Sequence, residues 1–111
     1  MKPKEAIHKH TKQFLEICLG HQVSRLYAFG SALTEKFNEQ SSDVDLLVEV
    51  EEEDPVRRGE ILMSLWDELE IFFGRKVDLL THTTVKNPVL KKNIEASKIL
   101  IYDGSGQKVL V

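Results

Sequence analysis

Val23-Ser24-Arg25-Leu26-Tyr27-Ala28-Phe29-Gly30-Ser31 and, after an interval of eleven residues, Asp43-Val44-Asp45-Leu46-Leu47-Val48-Glu49-Val50 decide how this chain of 111 residues is read. Both runs are rich in the aliphatic, aromatic and β-branched residues of strands. A Gly-Ser turn follows the first, and the second opens on two alternating aspartates. A third carboxylate, Asp78, stands in another short apolar run, Lys76-Val77-Asp78-Leu79-Leu80. Successive side chains on a strand point to opposite faces. Asp43 and Asp45 are therefore predicted to share one face, while Val44 and Leu46 enter the core.

Two carboxylates held side by side on a rigid element repel each other unless positive charge lies between them. Magnesium suits such a pair, because it takes oxygen ligands from one or two carboxylates, from water and from substrate phosphates. Asp78, arriving on another strand, would allow a second metal, the arrangement that stabilises both attacking and leaving oxygens in phosphoryl transfer. Gly30 lets the backbone approach a phosphate closely. Ser31, at the start of a predicted short helical stretch at 32–36, offers a hydroxyl and free N–H groups. The pattern predicts a metal-dependent phosphate site: Asp43, Asp45 and Asp78 as metal ligands and catalytic carboxylates, Gly30 and Ser31 toward the β and γ phosphates of a nucleotide.

Phe29-Gly30-Ser31, Ser42-Asp43-Val44-Asp45-Leu46-Leu47-Val48 and Val77-Asp78-Leu79-Leu80 resemble the signature of the DNA-polymerase-β-like nucleotidyltransferase superfamily, in particular its small prokaryotic members, the minimal nucleotidyltransferases (MNT). The resemblance runs over residues 26–103. It implies that Asp43 and Asp45 bind magnesium (Mg2+, two ions), that Asp78 completes the catalytic site, and that Gly30 and Ser31 hold the triphosphate with Lys36 as the nearby cation. The implied reaction moves a nucleoside monophosphate, AMP from ATP, to a hydroxyl and releases pyrophosphate. The implied partner is a small helical HEPN-type toxin, one of whose tyrosines receives the AMP, so that the chain acts as an antitoxin. The sequence departs from the family in an interval between Ser31 and Asp43 that is one residue longer than usual, and in Ala32 where many members carry arginine. Two other readings stand beside this one. In the first, the chain is a catalytically weak or inactive antitoxin that neutralises its partner by contact. In the second, it transfers to a small-molecule hydroxyl such as that of an antibiotic.

A hydrophobic content of 41% over this length supports one core and leaves no room for a separate acceptor domain, so the acceptor side is expected from a partner or from a second copy in a homo-oligomer. The formal net charge is −3, and the acidic run Glu49-Val50-Glu51-Glu52-Glu53-Asp54 argues against a nucleic-acid partner, which clustered lysine and arginine would serve. The single Cys18 excludes an internal disulfide and fits a reducing, cytoplasmic compartment. No long apolar run is present, so neither secretion nor membrane spanning is expected. His8 and His10 are two apart on a predicted helix and face different ways, while His21 and His82 read as ordinary loop residues beside strands. No zinc spacing results.

The remaining chain is read by period. A helix is predicted over 5–19, with Gly20 as its stop, and a longer one over 57–73, where Ile61, Leu62, Leu65, Trp66, Leu69, Phe72 and Phe73 form a stripe that Gly74 ends. The stripe, Trp66 included, reads as core rather than a shelf for stacking a base. Asn87-Pro88 cap and open a helix to about residue 96, and 98–102 form a last strand. The fold class is α/β (α+β): a small mixed sheet flanked by helices, in a single domain over 1–103 with a flexible tail at 104–111.

Overall fold

Helix signals and strand signals alternate along the chain, and the computed structural model, which describes residues 1–111, follows them. The elements are α1 (Pro3–Lys9), α2 (Thr11–Gly20), β1 (Val23–Ala28), β2 (Val44–Val50), α3 (Pro55–Phe73), β3 (Val77–Leu80), α4 (Pro88–Ser97), β4 (Ile99–Asp103) and β5 (Lys108–Val109). The cap chemistry is visible at both ends of α3. Asp54 Oδ2 accepts the Arg57 N–H at 3.0 Å, Pro55 occupies the first turn, and Gly74 closes the helix at φ 65°. Asn87 Oδ1 likewise accepts from the N–H groups of Val89 and Leu90 at the start of α4.

The single helix expected over 5–19 is instead two. His10 leaves the helical region at φ −128°, ψ 44°. Thr11 stabilises the break, its Oγ1 donating to Ile7 O at 2.8 Å and His8 O at 3.1 Å, so the last carbonyls of α1 are not left bare. Apolar spacing alone does not reveal such a kink, because Ile7 and Phe14 are buried on either side of it.

The sheet order is β3-β2-β1-β4-β5. β2 and β3 run parallel, joined through α3, while β1 pairs antiparallel with β2 and with β4. This is the mixed sheet expected, and α3 supplies the long crossover that a parallel pair requires. Val44, Leu46 and Val48 point into a main core with α1, α2 and α3, where the rings of Phe14, Phe72 and Phe73 meet at centroid distances of 5.0 to 6.2 Å. Leu47 points to the other face, into a smaller cluster with Phe29, Val85 and Ile94 of α4. Strand β2 is thus covered on both faces.

Residues 104–111, read from sequence as a flexible tail, form a turn and β5. Val109 lies opposite Tyr102 and Lys108 opposite Asp103, and the Leu110 N–H donates to Ile101 O at 2.9 Å. Val109 and Val111 pack on the main core. Gly104 makes the reversal possible, since a Cβ there would stand 2.7 Å from Val23 O. His21 also differs from expectation. It is buried, donates from Nδ1 to Ile17 O at 2.7 Å, and brings Nε2 within 2.8 Å of Glu68 Oε2 and 3.0 Å of Ser64 Oγ, joining the end of α2 to α3. No helix is long and apolar enough to cross a membrane.

Candidate active site

The site forms where β1 ends and β2 and β3 begin. Beyond Ala28 the Phe29 N–H donates to Asp45 O at 3.0 Å, which holds the exit of β1 against β2. Gly30 then adopts φ +62°, and a Cβ on it would lie 2.7 Å from Asp45 Oδ2. The backbone angle disfavours a larger residue, and a Cβ there would push the Asp45 carboxylate aside. The turn therefore lies directly against the Asp45 carboxylate. Across the parallel pair Asp45 stands in register with Asp78, and Asp43 sits one residue before the strand, exposed. Strand alternation put Asp43 and Asp45 on one face; here the ladder starts at Val44, so Asp43 belongs to the entering loop.

Asp45 is half-buried. Burial, then the nearby Asp78, then Asp43 raise its carboxyl above the ordinary 3.8. No cation acts on it. Lys36 is exposed and makes no contact with the three aspartates. A partly desolvated carboxylate facing two others is a poor place for an isolated negative charge and a good one for a divalent cation, which removes the repulsion. The three aspartates fit such an ion by their donor chemistry. As they stand, however, no three carboxylate, histidine or cysteine side chains converge on one point, so the set is close without being closed.

The stretch 32–36, expected as a helical start, is a run of turns. The Ala32 N–H donates to Phe29 O at 3.4 Å, that of Thr34 to Ser31 O at 2.9 Å, and that of Phe37 to Thr34 O at 3.2 Å. Thr34 Oγ1 donates to Ser31 O at 3.0 Å and accepts the Lys36 N–H at 3.2 Å, local bonds that compete with a helix. Ala32 and Phe37 are drawn into the main core. The N–H groups of Ser31 and Leu33 find no acceptor within the chain, so the turn still presents free donors.

Other residues that position the site were not singled out by sequence. Trp66 Nε1 donates to Val77 O at 2.7 Å, and Glu70 Oε2 accepts the Val77 N–H at 2.9 Å. Together they bind both backbone groups of the residue before Asp78, on the open edge of the sheet. Trp66 and Glu70 are four apart, so their shared helix face was legible, but their target on β3 was not. Trp66 is 37% exposed and is therefore only in part the core residue expected. Arg75 ties down the loop that leads to Asp43: its guanidinium donates to Glu39 O at 2.7 Å and lies 4.9 Å from the centre of the Phe37 ring. Ser97, at the end of α4, accepts the Gly30 N–H at 3.4 Å.

Residues 11–101 match the nucleotidyltransferase domain family, a span that contains Gly30, Ser31, Asp43, Asp45 and Asp78. The chain belongs to the nucleotidyltransferase family. It falls in the minimal branch by likeness as well: a candidate protein adenylyltransferase of Methanocaldococcus jannaschii is 35% identical over 98 residues, covering 88% of this chain and 93% of the relative. A solved candidate minimal nucleotidyltransferase is 25% identical with a TM-score of 0.62, covering 89% of this chain and 95% of that one. A chain of the Shewanella oneidensis complex between a tri-AMPylated HEPN toxin and an MNT antitoxin shares the fold, with a TM-score of 0.50 at 18% identity over 86% of this chain and 71% of that one. As a nucleotidyltransferase the chain uses a nucleoside triphosphate. Helix α1 and strand β5 lie outside the matched domain, and the site sits within the shared part.

Proposed function

We propose that this nucleotidyltransferase transfers AMP from ATP to a protein hydroxyl, a tyrosine of a HEPN-type helical toxin, and thereby acts as an antitoxin. The observation that carries the reading is the register of Asp45 against Asp78 with the Gly30 backbone packed on Asp45. The relatives named as candidate protein adenylyltransferases, and the fold shared with the complex of an AMPylated toxin, support the choice of acceptor.

Asp43, Asp45 and Asp78 would hold magnesium, which when bound supplies charge neutralisation for the phosphates and the departing pyrophosphate. Gly30 would let the chain approach the triphosphate closely, Ser31 presents its free backbone N–H to it, and Lys36 is the cation carried by the same turn. The acceptor oxygen forms a bond to the α-phosphorus while the bond from that phosphorus to the bridging oxygen breaks, and the electron pair leaves with pyrophosphate. Asp78 takes up the hydroxyl proton. Catalysis of this kind rests mainly on positioning and electrostatics. The acceptor hydroxyl would be carried by the partner, and the clefts of about 690, 460 and 290 Å³ are lined by none of the three aspartates. The buried, free Cys18, its thiol pushed up to about 12 by burial, suits a cytoplasmic protein without a disulfide.

A second reading, neutralisation by contact alone, is favoured by the open geometry of the carboxylates. Calorimetric titration with a non-hydrolysable ATP analogue, with and without magnesium, separates the two. Magnesium-dependent binding in the native chain that disappears in Asp43→Asn, Asp45→Asn, with unchanged circular dichroism, is the expected result. Binding that survives the double substitution sinks the assignment of the site, and absence of binding in both proteins leaves contact alone.

A further inference from the structure

Strand β3 carries Asp78 and lies at the rim of the sheet, paired only to β2. A rim strand turns the N–H and C=O of every second residue away from its one neighbour, and no strand on that side holds them in place. Here the residue so exposed is Val77, directly before Asp78. The Val44 N–H donates to Lys76 O at 3.0 Å, so Lys76 and Asp78 turn their backbone groups toward β2 and Val77 turns its own outward. Helix α3 takes up both outward groups: Glu70 Oε2 accepts the Val77 N–H at 2.9 Å, and Trp66 Nε1 donates to Val77 O at 2.7 Å. Two aliphatic side chains covering the same edge would leave both groups without a partner. The two bonds restrain different peptide planes, since an N–H belongs to the plane before its residue and a C=O to the plane after it. Glu70 therefore holds the plane between Lys76 and Val77. Trp66 holds the plane between Val77 and Asp78, which contains the nitrogen and Cα of Asp78 itself. Leu65 and Leu69 on the same helix are fully buried while Trp66 is 37% exposed, so the indole contributes less to the core than they do and its N–H is committed to the strand.

From this geometry we propose that Trp66 and Glu70 are positioning residues for Asp78: by pinning the two peptide planes before it, they hold its carboxylate in the register with Asp45 on which magnesium binding depends. The inference rests on the metal-dependent reading of the Asp43, Asp45, Asp78 site and adds to it two residues of α3 that act through Asp78 rather than on the nucleotide. Groups that orient a metal-binding side chain in this way commonly change metal affinity about 10- to 100-fold when removed. A purely stabilising role for the same two residues would lower the melt and leave the magnesium dependence where it is.

The test compares four variants of the full chain. Trp66→Phe keeps an aromatic ring and removes the N–H, Glu70→Leu removes the acceptor, and Glu70→Gln retains an oxygen for the Val77 N–H. Asp54→Ala removes the cap at the far end of α3 and controls for stability. Binding of a non-hydrolysable ATP analogue is followed as magnesium is raised. Trp66→Phe and Glu70→Leu are each expected to need about tenfold more magnesium for half-maximal binding, and Glu70→Gln and Asp54→Ala to stay within about twofold of the native requirement. At saturating magnesium all four should bind the analogue within about twofold of the native chain, because the Gly30-Ser31 turn follows β1, on the other side of β2 from β3. In the metal-free chain the Val77 amide should exchange with solvent faster in Glu70→Leu than in Asp54→Ala. A magnesium requirement unshifted in either Trp66→Phe or Glu70→Leu, a shift as large in Asp54→Ala, or Val77 exchange no faster in Glu70→Leu overturns the proposal while leaving the aspartate site standing. A native chain that binds no analogue at any magnesium concentration overturns both together.

Discussion

Gly30→Ala isolates the feature on which the site depends. The native residue sits at φ +62°, and the added Cβ would meet Asp45 Oδ2 at 2.7 Å, Asp45 Cγ at 3.7 Å and Asp45 Cβ at 3.9 Å. The left-handed angle costs a non-glycine residue about 1–2 kcal/mol. The close contact falls on the end of a side chain that can rotate, so relief comes from turning the Asp45 carboxylate away and adds little to the loss of stability. Functionally that rotation is severe, because it moves the carboxylate out of its position opposite Asp78. Gly74→Ala is the matched control: φ is +65° and nothing lies within 4 Å of the added Cβ. Thermal melts should show the two variants destabilised alike, by about 1–2 kcal/mol or roughly 4–16 °C for a domain of this size. Calorimetry with magnesium and the ATP analogue should show native affinity in Gly74→Ala and at least a tenfold loss in Gly30→Ala. If Gly30→Ala binds as the native chain does, the approach of the turn to Asp45 is not what builds the site.

Two further outcomes follow from the same geometry. Burial, Asp78 and Asp43 raise the Asp45 carboxyl above 3.8, so the folded chain holds that proton more tightly than the unfolded chain. The stability it contributes is complete below the unfolded value and is lost as pH rises through the raised folded value. In a chelator, Asp45→Asn should therefore melt above the native chain at pH 7, with the gap narrowing toward pH 4. Magnesium should raise the native melt only, and a lower melt for the variant at pH 7 would contradict the cause assigned. Removal of residues 104–111 strips β5, and with it Val109 and Val111, and uncovers the core surface they cover, which should cost about 2 kcal/mol by urea unfolding. An unchanged midpoint would mean that the edge strand contributes nothing.

The alternation that placed Val44 and Leu46 in the core and Asp45 on the opposite face was legible because a strand has a period of two wherever it occurs, whereas Asp43 lies just before the strand. Caps were equally legible. Asn87 and Gly74 act on the first or last turn of their own helices and need no distant partner, whereas Asp54, read as part of an acidic run with the helix starting at 57, caps a helix that begins at Pro55. The 32–36 segment was not, because Thr34 turns back on Ser31 while Ala32 and Phe37 are pulled into a core built from remote elements. The same reason hid β5. Two residues carry little strand signal, and only the Ile101 carbonyl and the open edge of β4 give them a place.

The identity of the aspartates, the Gly-Ser turn and the family they belong to were determined by the linear sequence, since each is a short pattern with its own chemistry. Tertiary structure alone decided that Asp45 and Asp78 stand opposite each other and that Gly30 presses on Asp45. It alone decided that Trp66 and Glu70 grip the residue before Asp78. Those contacts join residues from 7 to 33 positions apart, and their geometry follows from strand register and helix packing, which local propensity does not encode.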